Sequence, residues 1–228
     1  MPAVAQSPYT EEQIKVWLRG LLTLAWADGN FDADEKALIA TITADELAPG
    51  LDFDHFEPVT PAEVAEVLGH DPAMAENFLR MAVMVALADG VYSVEEDTQL
   101  QSFCQALNRQ DTVLTSVRST LYSLKPENAE LAAELRPPAD GSKLDPLKPA
   151  REWLDQLEVH DPRLARFVCK LIPSQCPFER DVVLFNKKLV HIPPMCKINP
   201  LYEQLVGLRF RALSYLADDC GEDVTPLL

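Results

Sequence analysis

The chain has 228 residues, of which 47% are hydrophobic, and a formal net charge of −16 at pH 7. This length accommodates one large domain or two modest ones with buried cores. The most apolar runs, such as Met81 to Ala88, are far shorter than the roughly 20 residues of a membrane-spanning helix, so we expect no membrane span. The opening residues MPAVAQSPYTEE lack a basic start and an apolar core, which predicts no signal peptide and a cytoplasmic location.

The negative charge lies in the first part of the chain. Residues 1–146 carry 25 acidic and 9 basic side chains, whereas residues 147–228 carry 11 of each. Such an acidic surface repels nucleic acid and anionic membranes and attracts cations or basic protein surfaces. We therefore expect a protein partner with a basic surface, and no nucleic acid.

Four predicted helix starts in the first part share one pattern, a capping side chain followed three residues later by Glu or Gln. Such capping boxes satisfy backbone N–H groups that have no partner within the helix. Pro61 and Pro72 stand at first-turn positions, where proline is tolerated. With apolar residues at helical spacing between these starts, we predict an all-helical region. The four pairs are Thr10 with Gln13, Asp32 with Glu35, Thr60 with Glu63, and Ser93 with Glu96.

This region also contains an internal repeat. Trp17 to Ile39 aligns without gaps to Phe78 to Leu100, and the segments LAWADGNFDADE and VALADGVYSVEE stand at equivalent positions. One helix-turn-helix unit cannot bury its apolar face alone. The repeat therefore predicts two such units packed about a pseudo-twofold axis.

The repeated Ala-Asp-Gly turn has two interpretations. Gly29 and Gly90 suit the left-handed position that ends a helix, and the capping box that follows restarts the chain as a helix. This leaves Asp28 and Asp89 unexplained, because a carboxylate in the last turn opposes the helix dipole. Each carboxylate either accepts hydrogen bonds from the next helix start or helps to bind a cation. The EF-hand pattern itself fails, since Ala33 replaces the loop glycine and Ile39 the bidentate glutamate, and Val91 cannot coordinate.

The two turns, each followed by an aromatic residue, a cap and a Glu-bearing helix start, resemble the tellurite-resistance TerB-like family over residues 10–123. Members of that family are helical, with internal twofold pseudosymmetry and a carboxylate cluster proposed to bind metal. The resemblance implies a TerB-like domain over residues 1–124. It also implies a metal-binding acidic cluster of Asp28, Asp89, Glu35 and Glu96. Val91 and Ser93 depart from the pattern in the second copy.

Five prolines between Lys125 and Pro149 predict a linker over residues 125–149. Beyond it, Asp161 and Pro162 predict a cap and first residue of a helix. The runs Val182 to Phe185 and Leu189 to Ile192, flanking Asn186 and Lys187, predict a small hairpin. Asn199 and Pro200 are predicted to start a long final helix that reaches Cys220 and ends at Gly221. The expected fold class is mainly α, with a helical bundle first and then a small, mostly helical domain over residues 150–228.

Four cysteines, with the spacing C-x6-C-x19-C-x23-C, lie in the last part of the chain. Four thiolates can hold zinc or an iron-sulfur cluster, and His191 offers a substitute ligand. No C-x2-C pair is present, however, and free cysteine is often a buried, space-filling residue. Core cysteines or a redox-responsive thiol pair are therefore the alternative, and Cys104 is predicted to fill space in the same way. The four residues are Cys169, Cys176, Cys196 and Cys220.

The segments WLDQLEVHDPRLARFVCKLIPSQCPFERD and HIPPMCKINPLYEQLVGLRFRALSYLADDCGEDVTP resemble the family known as the Mo-dependent nitrogenase C-terminal region, over residues 150–226. That family is typical of cyanobacteria, and its name derives from an association with nitrogenase. If its cysteines serve a common site, the resemblance assigns that site to the same four residues. The chain contains no P-loop and no paired cofactor domains, so the resemblance does not imply nitrogen reduction.

Familiar catalytic signatures, including G-x-G-x-x-G, H-E-x-x-H and G-x-S-x-G, are absent from the sequence. His55, His70 and His160 lie near predicted turns or helix ends, where a solvated histidine is ordinary. We therefore predict a non-enzymatic accessory or adaptor protein in stress response or in nitrogen or redox metabolism. Its acidic module would bind a divalent cation or a basic partner, and its C-terminal domain would dock a partner. The alternative is a redox protein that binds zinc or an iron-sulfur cluster through the four cysteines. A hydrolase using a carboxylate cluster and a divalent metal is a third hypothesis.

Overall fold

The computed structural model describes residues 7–27, 58–87, 92–109, 147–172, 180–184, 187–192 and 201–228, the two short ranges between 180 and 192 by their backbone alone. Within these ranges the protein is mainly α, as predicted, with seven α-helices and one two-stranded hairpin. The apolar side chains buried in the N-terminal half, residues 7–109, and in the C-terminal half, residues 147–228, form one contiguous core. The two halves therefore share one core.

The N-terminal half contains four helices in the described ranges: α1 Glu11–Ala25, α2 Pro61–Leu68, α3 Pro72–Ala86 and α4 Val94–Ala106. Two of the predicted capping boxes, at Thr10 and Ser93, are complete. The box predicted at Thr60 is present only in part: the Thr60 side chain accepts a hydrogen bond from the Glu63 amide, while the Glu63 carboxylate pairs with Arg19. Asp71 caps α3 ahead of Pro72. The box predicted at Asp32 lies outside the described residues.

The first helix of each repeat copy has the same length and the same end. Both α1 and α3 contain 15 residues, and they stop at the equivalent positions Ala25 and Ala86. The residues that follow, Trp26 and Leu87, close their helices with nearly the same backbone angles. The repeat is thus expressed in the first helix of each copy. The second helix of the first copy and both Ala-Asp-Gly turns lie outside the described residues.

The two copies meet through equivalent aromatic residues. The rings of Trp17 and Phe78 pack edge to face, with centroids 5.9 Å apart, and Phe78 packs in the same way on Phe103 at 5.5 Å. Gly20 permits the close approach of α1 and α3, because a Cβ atom at this position would lie 2.8 Å from the Phe78 ring. Packing of equivalent helices buries the apolar face that one unit cannot cover alone.

The C-terminal half begins with α5 Lys148–Leu154, which contacts α3. The first two residues of this helix are the last two of the predicted linker, which ends at residue 149. The next helix, α6 Pro162–Leu171, starts as predicted. The carboxylate of Asp161, which has 0% exposure, accepts hydrogen bonds from the amides of Arg163 and Leu164. The long helix α7 Tyr202–Ser214 packs against α6.

The predicted hairpin is present, with different bounds. Strand β1 Arg180–Leu184 pairs antiparallel with β2 Lys187–Ile192. Lys187, predicted to lie in the turn, is instead the first residue of β2, because it pairs with Leu184. Phe185 and Asn186 lie outside the described residues.

The end of α7 departs from the predicted continuous α-helix. The α-helical pattern stops at Ser214, and residues Tyr215–Asp219 form a π-helical turn in which the Cys220 amide bonds to the Tyr215 carbonyl five residues back, at 3.1 Å. Gly221 then ends the helix as predicted, with a φ of 67°. The predicted start at Asn199 and Pro200 lies outside the described residues. π-helical turns are rare and often occur at functional sites, so this end of the helix bears on the site.

Candidate functional site

An open groove of about 1200 Å³ lies between the two halves. One wall consists of the first turns of α3 together with Arg109, which follows α4. The other wall consists of the loop 155–160 and one face of α7 with its π-helical turn. Because each half contributes one wall, the contacts that fix the halves together also set the shape of the groove.

The two halves meet along a seam. Arg80, on α3, makes the central contact across it. Its Nη1 donates to Asn77 Oδ1 on the same helix, and its Nη2 donates to Gln156 Oε1 in the opposite wall, both at 3.1 Å. The guanidinium also lies over the Trp153 ring, 5.5 Å from the centroid, a cation–π geometry. Only 11% of the side chain is exposed, and this burial lowers the pKa of Arg80 from its usual value. An arginine stays charged under such a shift. Arg80 is therefore a mostly buried cation that links α3 to the C-terminal half.

Glu76, one turn before Arg80 in α3, also makes contacts across this seam. Its carboxylate accepts a hydrogen bond from the indole N–H of Trp153 on α5. It also lies 4.0 Å from Arg80 Nη2 and 3.9 Å from Arg109 Nε. Arg109 in turn donates to the Pro72 carbonyl at 3.0 Å, which ties the end of α4 to the start of α3. Glu76 is therefore held by three side chains from three separate segments.

A second polar contact joins the halves at the start of α6. Arg163 donates from Nη2 to Asp161 Oδ2 at 3.1 Å and from Nη1 to Glu11 Oε2, at the start of α1, at 2.6 Å. Burial acts to lower the pKa of Arg163, but the hydrogen bonds and charges of Asp161 and Glu11 together outweigh it and raise that pKa. The cap of α6 is thus also the attachment point of α1.

The loop 155–160 is held from both sides of the groove. Gln156 accepts from Arg80, as described, while the Tyr215 hydroxyl donates to the His160 carbonyl at 2.8 Å. His160 Nε2 is hydrogen bonded to Glu158 Oε2 at 2.9 Å. The π-helical turn carries Tyr215 and thereby fixes the loop 155–160 beside it in the same wall of the groove.

Two side chains of α7 face the groove without comparable restraint. Phe210 is 70% exposed, although it lines the groove. Arg211 makes one long hydrogen bond, from Nη1 to the Asp155 carbonyl at 3.4 Å, and no ion pair within the described part of the chain. Its Nε and Nη2 are buried there without an acceptor. Aromatic and arginine side chains are enriched at protein–protein interfaces.

Of the predicted acidic cluster, the structure describes Glu96 alone; Asp28, Asp89 and Glu35 lie outside the described residues. Glu96 is buried, and its Oε2 accepts from both the amide and the hydroxyl of Ser93 at 2.8 Å. Its described role is therefore the capping box of α4.

Of the predicted thiolate site, the structure describes Cys169 and Cys220, both as free thiols; Cys176 and Cys196 lie outside the described residues. Cys169 is buried in α6, and Cys104 in α4 is buried as well, as predicted for core cysteines. Burial raises the pKa of Cys169 to about 11. Burial also raises the pKa of Cys220, against the opposing effect of its hydrogen bond with Tyr215. Both thiols are therefore protonated near neutral pH, and a metal would have to displace their protons. Among the described residues, three or more His, Cys, Asp or Glu side chains nowhere converge as a metal site.

The residues that form the seam were not predicted to be functional from the sequence. One signal was nevertheless available in the repeat, where Asn77 and Glu76 stand at the positions of Val16 and Lys15. Val16 is buried in the core, and Asn77 is also buried. A buried amide needs a hydrogen-bond partner, and that requirement points to a polar neighbour such as Arg80.

The comparisons with known proteins bear on the C-terminal half. Within the described residues, none of the helices has the length and apolar character needed to cross a membrane. Neither the curated proteins nor the solved structures gave a match to the chain. Residues 146–228, which include α5, α6, α7 and one wall of the groove, match the family model described as Mo-dependent nitrogenase C-terminus.

Proposed function

We propose that this protein is a non-enzymatic accessory protein of nitrogen metabolism that docks a protein partner in the groove between its two halves. The metabolic setting is supported by the name of the family that residues 146–228 match, Mo-dependent nitrogenase C-terminus. The docking role is supported by the groove itself. Its position at the seam means that a partner seated there contacts both halves at once.

The exposure of Phe210 beside Arg211 carries the proposal. The aromatic side chains at Trp17, Phe78 and Phe103 are fully buried, whereas Phe210 is 70% exposed at the mouth of a fixed groove. Leaving a phenylalanine ring in water forgoes about 1.5–3 kcal/mol of burial free energy. A partner that covers the ring recovers that free energy, and adjacent arginine adds a directional contact.

The acidic N-terminal half supports a basic surface on the partner. Residues 1–146 hold the whole net charge of −16, and complementary charge speeds association and selects against acidic competitors. The TerB-like resemblance adds a cation at Asp28, Asp89 and Glu35 as a second proposed ligand of this half. Glu96 contributes less to that idea, because its carboxylate is engaged in the cap of α4.

Photo-crosslinking in cells of the native host tests the docking role. We would place a photo-reactive amino acid at Phe210 and at Glu158, both on the groove, and at the exposed control position Val94 on α4. The proposal predicts one discrete adduct from both groove positions, containing a protein of nitrogen metabolism, and none from Val94. Adducts that form equally well from Val94 would contradict docking in the groove.

The second candidate is a metal-binding or iron-sulfur redox protein using Cys169, Cys176, Cys196 and Cys220. One observation favours it: the charge of Glu222 acts to raise the pKa of both the Cys169 and the Cys220 thiol. Metal analysis and absorption spectra of anaerobically purified protein test this candidate. A folded, colourless and metal-free sample would eliminate it.

A further inference from the structure

We infer that the groove recognises a carboxylate on the partner, bound by Arg211, together with an apolar side chain that packs on Phe210. The inference rests on the proposed docking function and adds the chemistry of what is docked. It concerns a short peptide segment of a protein, in which an acidic residue stands beside an apolar one.

The other arginines of the groove are already engaged by the protein. Arg80 donates to Asn77 and Gln156 and stacks on Trp153. Arg109 donates to the Pro72 carbonyl and lies 3.9 Å from Glu76. Releasing Arg80 would remove a contact between the halves, and releasing Arg109 would detach the end of α4 from the start of α3, so neither is available to an incoming ligand.

Arg211 differs because little holds it. Its single hydrogen bond, 3.4 Å to the Asp155 carbonyl, is at the weak limit for such contacts. The Nε and Nη2 donors have no acceptor within the described part of the chain. Arg211 lines the groove, and a planar guanidinium binds a carboxylate through two parallel hydrogen bonds.

The acidic residues of the groove limit what that anion can be. Glu76 is held by Trp153, and Glu158 is hydrogen bonded to His160. Asp155 and Asp219 also line the groove, and both are exposed. Multiply charged phosphates and nucleic acid would be repelled by these carboxylates and by the net charge of −16. A single carboxylate on an otherwise neutral or basic peptide is the anion that this charge pattern favours.

Phe210 supplies the apolar half of the recognition. It precedes Arg211 in α7, and Val206, one turn earlier on the same face of the helix, is also exposed, at 44%. The two form a short apolar strip on α7, and Phe210 lines the groove together with Arg211. A bound peptide can therefore pack an apolar side chain on this strip while its neighbouring carboxylate reaches Arg211.

Selection from a displayed library of short random-sequence peptides, on the full-length chain, tests the inference. We expect the enriched peptides to share one Asp or Glu beside a Leu, Ile or Phe. Arg211→Gln and Phe210→Ala should each weaken their binding about 10-fold or more, and Arg211→Lys should weaken it less, because it keeps the charge. Lys15→Gln and Val94→Ala, exposed positions outside the groove, should leave binding unchanged. Circular dichroism and melting curves would verify that each variant folds.

A variant that fills the groove distinguishes docking in the groove from recognition of a carboxylate by Arg211. Ala73 is exposed on the groove wall, so Ala73→Trp should block the site without disturbing the core. If Ala73→Trp abolishes peptide binding but Arg211→Gln does not, docking in the groove stands and the carboxylate inference is overturned. Enriched peptides that lack an acidic residue would overturn it as well. If Ala73→Trp leaves binding unchanged, or if nothing is enriched relative to that variant, the proposed docking groove is wrong.

Discussion

Arg19 in α1 and Arg80 in α3 occupy equivalent positions of the internal repeat, yet they do different work. Arg19 pairs at 2.5 Å with Glu63 on α2, which is a contact within the N-terminal half. Arg80 reaches Gln156 and stacks on Trp153, and so joins the N-terminal half to the C-terminal half. The repeat thus supplies the same helix twice, while the side chains around the arginine decide what each copy packs against.

The difference originates in the preceding turn of each helix. The positions of Lys15 and Val16 in α1 are those of Glu76 and Asn77 in α3. Lys15 faces solvent and Val16 fills the core, whereas Glu76 bonds the Trp153 indole and Asn77 bonds Arg80. Two sequence differences within one turn therefore explain why α3, and not α1, makes these contacts with the C-terminal half.

The largest expected effect comes from removing the contact that the two copies share. Phe78→Ala deletes a fully buried ring that touches both Trp17 and Phe103. It should lower the free energy of unfolding by about 3–5 kcal/mol, as measured by urea denaturation. A loss below about 1 kcal/mol would mean that α1 and α3 do not depend on this contact.

Gly20→Ala probes the same contact from the other side. The new Cβ atom would lie 2.8 Å from a Phe78 ring with no space to retreat, and such overpacking costs about 1–3 kcal/mol. In the Phe78→Ala background the clash disappears, and the better helix propensity of alanine should stabilise α1 by up to about 1 kcal/mol. The double-mutant cycle checks this reversal of sign. The same effect in both backgrounds would contradict the described packing.

Truncation of the two equivalent arginines sharpens the comparison directly. Arg80→Ala leaves buried Asn77 without its donor and removes the stacking on Trp153, and hydrogen bonds to charged groups contribute about 1.5–3 kcal/mol. Arg19→Ala removes an ion pair whose Glu63 partner is partly exposed, which contributes about 0–1 kcal/mol. Chemical denaturation of both variants should rank Arg80→Ala as the more destabilised. Equal losses would remove the distinction between the copies.

Glu96→Gln should have the smallest effect. Gln13 already fills this capping role in α1, with its Oε1 accepting from the Thr10 amide at 2.9 Å, so glutamine can preserve the box in α4. We expect a change in unfolding free energy within about 0.5 kcal/mol and no change in divalent-cation binding by calorimetry. Loss of a measurable Ca²⁺ or Mg²⁺ affinity in this variant would instead support the metal-binding role that the TerB-like resemblance implies.

Local signals in the sequence were sufficient to predict the helices and the ends of several of them. Capping by Thr10, Ser93 and Asp161 depends on residues within three positions, and the left-handed Gly221 depends on its missing Cβ atom. Such features can be read directly from the chain. The π-helical turn at Tyr215 could not be read in this way, because its wider hydrogen bonding has no comparable local pattern.

The candidate site was harder to predict because its contacts are long-range. Trp153 and Glu76 are 77 residues apart, and a predicted linker of 25 residues, 125–149, separates their regions in the sequence. The even charge balance of residues 147–228 favoured a separate domain rather than one bonded to the acidic half. The sequence did contain one signal, the polar residues Glu76 and Asn77 in a largely apolar helix. Their role is explained only by their contacts in the folded chain.

Hydrogen exchange of the α5 amides, residues Lys148–Leu154, tests most directly whether α3 holds the C-terminal half. Exchange would be followed in the unaltered chain, in Arg80→Ala and in Arg19→Ala under conditions where all three remain folded. The account predicts faster exchange of α5 in Arg80→Ala, with rates in Arg19→Ala close to those of the unaltered chain. Unchanged protection of α5 in Arg80→Ala, or equal acceleration in both variants, would contradict the claim that the second copy of the repeat is the docking face.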